Sequence, residues 1–370
     1  MKRLWLPLVL STCVSAQMVD SVSSPRTSNK PQTDAEAEQG RTTGRKLPVP
    51  EVLQPSLDPA LPAYQPRRDA KVEGHYRAGV SDVLPGIAKL WIDAFRKMYP
   101  GFSLEIVPPY AGSLGADELV RGNLDMVFVS RELRPADLTG FRARFAHDPL
   151  SVPISGGTWR HFGFLDAVAF FVHRDNPIDQ LTLAQLDAVL SATRHRGGKT
   201  ATTWGDVGAT GDWADKPIHI YGVQPWNGFE EFVRQRVLGF AGKRGEWREG
   251  IPFDKVVFPI AGRVAQDRYG IGYAGLAYVD QPVKLLALAK ENGGPFVAPS
   301  YENVATSAWP LSRVVYLNLD KTPGKPLAPA LDEFLRFVLS REGQQLVLNQ
   351  AIYLPLRASQ VADSRAMFSQ

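Results

Sequence analysis

The chain has 370 residues, 44% hydrophobic and 22% charged, with a formal net charge of +4. That is the composition of a globular protein, and no Lys/Arg block is interleaved with aromatics, which argues against a nucleic-acid partner. One cysteine, Cys13, excludes an internal disulfide and a multi-cysteine zinc site.

Lys2 and Arg3 precede the apolar run Leu4 to Leu10, and Val14-Ser15-Ala16 offers small residues for a signal peptidase. A charged start, a short apolar core and a small-residue exit predict a secretory signal over 1–16. The run is too short to span a bilayer, which takes about 20 apolar residues. The mature chain is then periplasmic or extracellular. Cleavage after Ala16 would remove Cys13 and all thiolate chemistry. Leu10-Ser11-Thr12-Cys13 loosely resembles a lipoprotein box, so a lipid anchor on Cys13 is the minority alternative. Residues 17–70 are rich in Ser, Thr, Pro, Gln and charge and show neither sequence period. They are predicted to be a flexible leader without chemistry.

From Lys71 onward the pattern is globular, and about 300 residues is the size at which one core divides into two. Leu104 to Val107, Met126 to Val129, Ala167 to Val172 and Val314 to Leu317 read as buried strands. Ile87, Leu90, Trp91, Ala94, Phe95 and Met98 recur at helical spacing behind Pro85. Thr182 and Gln185 form a capping box, flanked by Leu181 and Leu186 in staple positions. Leu331, Phe334, Leu335 and Val338 mark a later helix, after which Ser340 can cap another. Alternating strands and helices predict an α/β fold.

Several short blocks then follow one another in a specific order. Gly79-Val80-Ser81-Asp82-Val83-Leu84-Pro85 leads to Tyr99-Pro100-Gly101, then to Gly122-Asn123-Leu124-Asp125 and Val129-Ser130-Arg131-Glu132-Leu133. Phe171-Val172-His173-Arg174-Asp175-Asn176-Pro177, Leu181 to Leu186 and Trp204-Gly205-Asp206-Val207-Gly208 come next. Tyr269 to Gly275, Pro310-Leu311-Ser312-Arg313, Phe334 to Gln344 and Tyr353-Leu354-Pro355-Leu356 complete the series. Together these blocks resemble the phosphate-binding proteins of ABC importers over almost all of residues 74–357.

The resemblance implies a two-lobed type II periplasmic-binding-protein fold with two hinge strands, Ala167 to Val172 and Val314 to Leu319. Lobe I would hold 71–167 and 317–370, and lobe II 168–316. A small inorganic anion, phosphate by resemblance, would lie in the cleft, and the closed form would meet an ABC permease. The resemblance implies a monomer, with no cofactor.

A desolvated oxyanion needs many donors and little exposed negative charge, which helix N-termini and nearby Gly can supply. Three loops lead into predicted helices: Gly79 to Pro85, Gly112-Ser113-Leu114-Gly115 and Asn227-Gly228-Phe229. The candidate ligand-binding set is Ser81, Asp82, Ser113, Leu114, Ser130, Arg131, Asn227, Gly228 and Phe229. Ser81, Ser113 and Ser130 would offer hydroxyls, and Arg131 a charge-assisted contact. An ionised Asp82 would repel an anion unless it turned away or capped the next helix. The third loop departs from the family's Tyr-Gly-Arg, spacer, Ser-Gly-Thr pattern: Val223 replaces the Arg, Asn227 the Ser and Phe229 the Thr. One charge and two hydroxyls are lost, at about 1.5–3 kcal/mol for each charged hydrogen bond. Trp226 and Phe229 would then either face an apolar part of another ligand or pack inside lobe II.

Gly270 to Gly275 matches G-x-G-x-x-G but precedes Leu276 to Val279, which reads as extended rather than helical. The six histidines lack metal-ligand spacing. No nucleophile elbow, H-E-x-x-H or P-loop is present, so an enzyme is not expected. Ser155 to Trp159 reads as a turn before the hinge, and Arg194 to Lys199 as a solvated basic loop. The two function classes are a transport-linked binding module and an exported, non-transport descendant of the same fold.

Overall fold

The computed structural model describes residues 56–67, 71–108, 117–161, 164–225 and 227–369. The signal segment 1–16 with Cys13, most of the leader, Ser113, Leu114 and Trp226 lie outside the described residues. In chain order the elements are β1 (Gly74–Val80), α1 (Pro85–Met98), β2 (Phe102–Ile106), α2 (Asp117–Val120), β3 (Met126–Val129), α3 (Pro135–Phe145) and β4 (Leu150–Gly156). Then come β5 (Val168–His173), β6 (Gln180–Thr182), α4 (Leu183–Leu190), β7 (His219–Tyr221), α5 (Gly228–Val233), α6 (Ile260–Gln266), β8 (Gly270–Gly275), β9 (Val283–Leu285) and β10 (Ala287–Ala289). The chain ends with α7 (Tyr301–Ala305), β11 (Val314–Leu319), α8 (Pro329–Val338), α9 (Arg341–Gln350) and α10 (Ala358–Ala366). The α/β fold expected from the alternating pattern is present.

Two main sheets organise the molecule. The first runs β2-β1-β3-β11-β4, with β1 parallel to β2 and β3, and β11 antiparallel to β3 and β4. Because side chains alternate along a strand, β3 feeds two cores: Met126 and Phe128 join α1, α8 and α9, while Val127 and Val129 meet Phe141 of α3. The second sheet runs β7-β8-β5-β9 beside the small pair β10-β6, and a separate core encloses it. Gly272 of β8 lets α6 lie close, since a Cβ there would come within 2.9 Å of Ile260 and Val264.

The chain crosses between the two sheets at two adjoining segments. Thr158 N–H donates to Leu165 O (2.7 Å), and Ala167 N–H to Thr158 O (2.8 Å). Gly157 N–H donates to Arg313 O (2.7 Å), and Val168 N–H to Leu311 O (3.1 Å), which fastens one crossing to the other. Gly157 makes this approach possible: a Cβ there would fall 2.4 Å from Leu165 O and 3.0 Å from Arg313 Cβ.

Helix starts follow the expected chemistry. Thr182 Oγ1 accepts from Gln185 N (3.1 Å), while Gln185 Oε1 accepts from Thr182 N (2.8 Å). Ser340 Oγ accepts from Gly343 N (3.1 Å) at the start of α9. Ser340→Ala should cost about 1 kcal/mol, measured as a fall in urea-unfolding free energy; no change would mean the cap is redundant.

Four expectations need correcting. In α1 the buried face is Ile87, Ala88, Trp91, Ile92 and Phe95, whereas Leu90 and Met98 are exposed at 38% and 41%. Leu276–Tyr278 forms a 3-10 turn instead of an extended segment, and the preceding glycines lie in strand β8, not in a phosphate-cradling turn. The basic loop is not simply solvated. Arg196 donates from Nε to Val237 O (2.8 Å) and from Nη2 to Arg236 O (2.8 Å), satisfying carbonyls at the end of a helix. Finally, residues 56–67, inside the stretch read as leader, pack on α8 and α9. Leu61 is buried, Tyr64 Oη donates to Glu333 (2.6 Å), and Arg67 pairs with Asp332 (3.1 Å).

Candidate functional site

β1 and β3 run parallel, and their carboxyl ends point the same way. In open α/β sheets that edge is where ligands lie. Ser81 follows β1 directly, and Ser130 and Arg131 follow β3, so residues far apart in sequence meet at one edge. Ser81 N–H donates to Phe128 O (2.9 Å), while Ser81 O accepts from Leu84 N (2.9 Å), turning the chain into α1. Ser81 is completely buried, yet its Oγ has no hydrogen-bond partner among the described residues. A buried hydroxyl left without a partner is costly, and a bound oxyanion would satisfy it.

Ser130 is also buried. Arg131 beside it is engaged already: Nη1 donates to Asp137 Oδ2 (2.7 Å) and to Glu132 O (2.9 Å). Asp137 Oδ2 accepts from Arg134 N–H as well (2.7 Å), so the carboxylate holds both Arg131 and the first turn of α3. Asp82 is half-buried, and its charge is felt by the Arg313 guanidinium. It is not the cap of α1, whose N-cap is Leu84 without a side-chain hydrogen bond.

In the part of the molecule built on the second sheet, the third loop leads from β7 into α5. Asn227 Oδ1 accepts from Phe229 N–H (2.9 Å) and caps α5. Phe229 is buried edge-on against Tyr278, with ring centroids 5.3 Å apart. Of the two readings for Phe229, packing inside this lobe is the one realised. Val223 is wholly buried in the same core, and its carbonyl accepts from Tyr273 Oη (3.1 Å). A Cβ on Gly228 would meet no described atom within 4 Å, so this backbone borders open space.

Acids in the first turn of α5 would oppose an anion unless they were neutralised. Glu230 accepts from Arg234 Nε (2.7 Å), and Glu231 accepts twice from Arg244 (2.7 and 2.8 Å). Arg134, just before α3, adds a third cation, 3.1 Å from Glu231. Arg244, Arg134 and Arg234 hold the Glu231 carboxyl below its usual range despite its burial.

One further charged residue at this edge, Arg313 of the Pro310–Arg313 block, is missed by sequence reasoning. Arg313 is buried at the crossing, where Nη2 donates to Ser130 O (3.2 Å) and the guanidinium lies 4.8 Å from the Phe232 ring centre. Its Nε has no partner among the described residues. Burial draws its pKa down to about 10, opposed by the carboxylates of Asp166, Glu132 and Asp82. No local pattern marks Arg313 as buried; its burial follows from where the crossing segment packs against Ser130 and Phe232.

Residues 65–342 match the PBP superfamily domain. The phosphate-binding protein PstS of Pseudomonas aeruginosa is 36% identical over 305 residues, 82% of this chain and 89% of that protein. This chain belongs to the phosphate-binding protein family of the PBP superfamily. PstS from Borrelia burgdorferi superposes with a TM-score of 0.53 at 16% identity, covering 77% of this chain and 100% of that one. An ABC-type phosphate transport receptor from Vibrio cholerae gives 0.50 at 16% identity, covering 76% and 99%. These likenesses bear out the two-lobed type II fold. In this chain Ser81 and Ser130 lie at the carboxyl edge of the first sheet, while Val223 and Phe229 of the third loop are part of the second core.

Proposed function

We propose that the protein is an exported solute-binding protein that holds a small oxyanion, phosphate, between its lobes and delivers it to an ABC permease. It binds without turnover. The observation that carries this reading is the buried, unpartnered Ser81 Oγ at the carboxyl edge of β1, beside β3, whose end carries Ser130 with the Arg313 guanidinium on its carbonyl. Kinship with a phosphate-binding protein at 36% identity supports the choice of anion. The remaining candidates fit as supports: Arg131 tunes the edge through Asp137, Asn227 and Gly228 bring backbone to the opposite wall, and Phe229 anchors that wall. Ser113 and Leu114, outside the described residues, stay candidates on the sequence alone.

The test is a thermal-shift and calorimetry panel on purified mature protein with phosphate, sulfate, phosphonates, organic phosphates and small carboxylates. Phosphate at 100 times its dissociation constant should add about 2.7 kcal/mol of stability. Ser81→Ala should weaken phosphate about tenfold, the loss of one hydrogen bond to a charged group. Unchanged affinity in that variant would misplace the site. Stabilisation by a different anion alone would replace phosphate as the cargo. No stabilisation by any of them would favour the exported, non-transport reading, to which the loss of donors at Val223 and Phe229 already points.

A further inference from the structure

The cleft is spanned by charged pairs that run in both directions. From the first lobe, Glu132 accepts from Arg236 of the second. From the second lobe, Glu231 pairs with Arg134 of the first, 3.1 Å away. Each lobe therefore contributes one acid and one base, and each acid is matched by the opposite lobe's arginine. Neither acid is left loose. Tyr316 Oη on β11 donates to Glu132 (2.9 Å), and Arg244 grips Glu231 through both nitrogens. The partners are thus pre-oriented before the lobes meet, which lowers the entropy lost when the pairs form.

Arg236 is aimed by a local irregularity. After α5 the helix continues through a π turn, Arg234–Leu238, in which Gly239 N–H donates to Arg234 O (2.7 Å) across five residues. One extra residue in a turn rotates the following side chains out of α-helical register, and such turns are common at functional positions. Arg196 then satisfies the carbonyls of Arg236, Val237 and Gly239, fixing the end of that turn.

We infer that Glu132–Arg236 and Glu231–Arg134 form a reciprocal brace that sets how readily the lobes close, and through closure sets the affinity for the ligand. These four are positioning residues: they act on the balance between open and closed forms without needing to touch the anion. The inference rests on the oxyanion-binding reading for its effect on affinity, but not for its effect on lobe closure. Glu132 and Arg236 are about one-third exposed, so the brace is sensitive to ionic strength.

The test uses charge reversal in the mature protein, in phosphate-free buffer, with inorganic phosphate as the probe. Glu132→Arg and Arg236→Glu should each weaken phosphate about tenfold or more, because like charges would then face each other across the cleft. The double variant Glu132→Arg/Arg236→Glu should recover most of the loss. Direction is the key readout. If only the charge of the cleft mattered, Glu132→Arg would bind phosphate more tightly and the double variant would gain nothing by pairing; that result overturns the inference. Small-angle scattering without ligand gives a second, independent reading: each single variant should be more extended than the parent, and the double variant compact again. If the parent binds no phosphate, the proposed function fails, and the scattering series alone still decides the brace. Identical scattering for all four proteins would refute it, with circular dichroism melts excluding unfolding as the cause.

Discussion

Asp166→Asn is expected to stabilise the protein increasingly as pH rises from about 4 to about 7. Asp166 is fully buried between the two crossings; Oδ2 accepts from Ala277 N–H (2.9 Å), and Oδ1 has no partner among the described residues. Burial raises its pKa from 3.8 to about 7, against the opposing pull of the Ala277 N–H and the Arg313 and Arg160 charges. In the unfolded chain the carboxyl ionises near its ordinary value, so between the two values the folded state holds the extra proton. Stability contributed by this group is therefore complete at low pH and is lost as pH climbs toward 7. At about 1.4 kcal/mol per pH unit, the loss approaches about 4 kcal/mol. Asn keeps an acceptor for Ala277 and cannot ionise. Urea unfolding at a series of pH values should show a gap between variant and parent that opens over this window and then stays level. A gap independent of pH would mean that Asp166 remains ionised in the fold.

The second large effect is expected at Arg234. This guanidinium is 10% exposed and lies between Glu230, whose side chain is 1% exposed, and Glu246. Glu230 also accepts from Trp247 Nε1 (2.5 Å). Removing the cation takes away the opposite charge that balances the buried Glu230 carboxylate. Arg234→Met should therefore cost about 3–5 kcal/mol of unfolding free energy. Adding Glu230→Gln should return much of that loss, since the amide still accepts from Trp247 and carries no charge. If the double variant is as unstable as Arg234→Met alone, the cost comes from lost packing of the arginine stem and not from the stranded charge. Because the pair lies in the helix that follows the third loop, phosphate affinity should fall in Arg234→Met even where the protein is still folded.

Much of the scaffold was legible because its causes are local. Met126 to Val129 forms a strand with the expected limits, since four consecutive apolar residues fit a strand covered on both faces. The Thr182–Gln185 box and the Ser340 cap appear where their spacing placed them, because each depends on atoms three residues apart. Leu90 and Met98 were misjudged for an equally physical reason. An apolar set at spacings of three and four defines two overlapping stripes on a helix, and the neighbouring α9 and β2, not the spacing, select which one is covered. Residues 56–67 were read as leader because their composition is that of unstructured chain. Their order comes from partners on α8 and α9 more than 260 residues away.

By itself the sequence determined the export signal as an expectation, the α/β alternation, the family and the polar edge around Ser81, Ser130 and Arg131. Each of these is written in short-range pattern or in ordered motifs. Only the tertiary structure decided what becomes of the third loop, where Val223 and Phe229 are core while Asn227 spends its side chain on a cap. It alone brought Arg313 to Ser130, and set Glu132 against Arg236 and Glu231 against Arg134. Those contacts join residues about 100 or more positions apart. Coulomb attraction and desolvation depend on distance and burial in space, quantities that no local pattern of residues encodes.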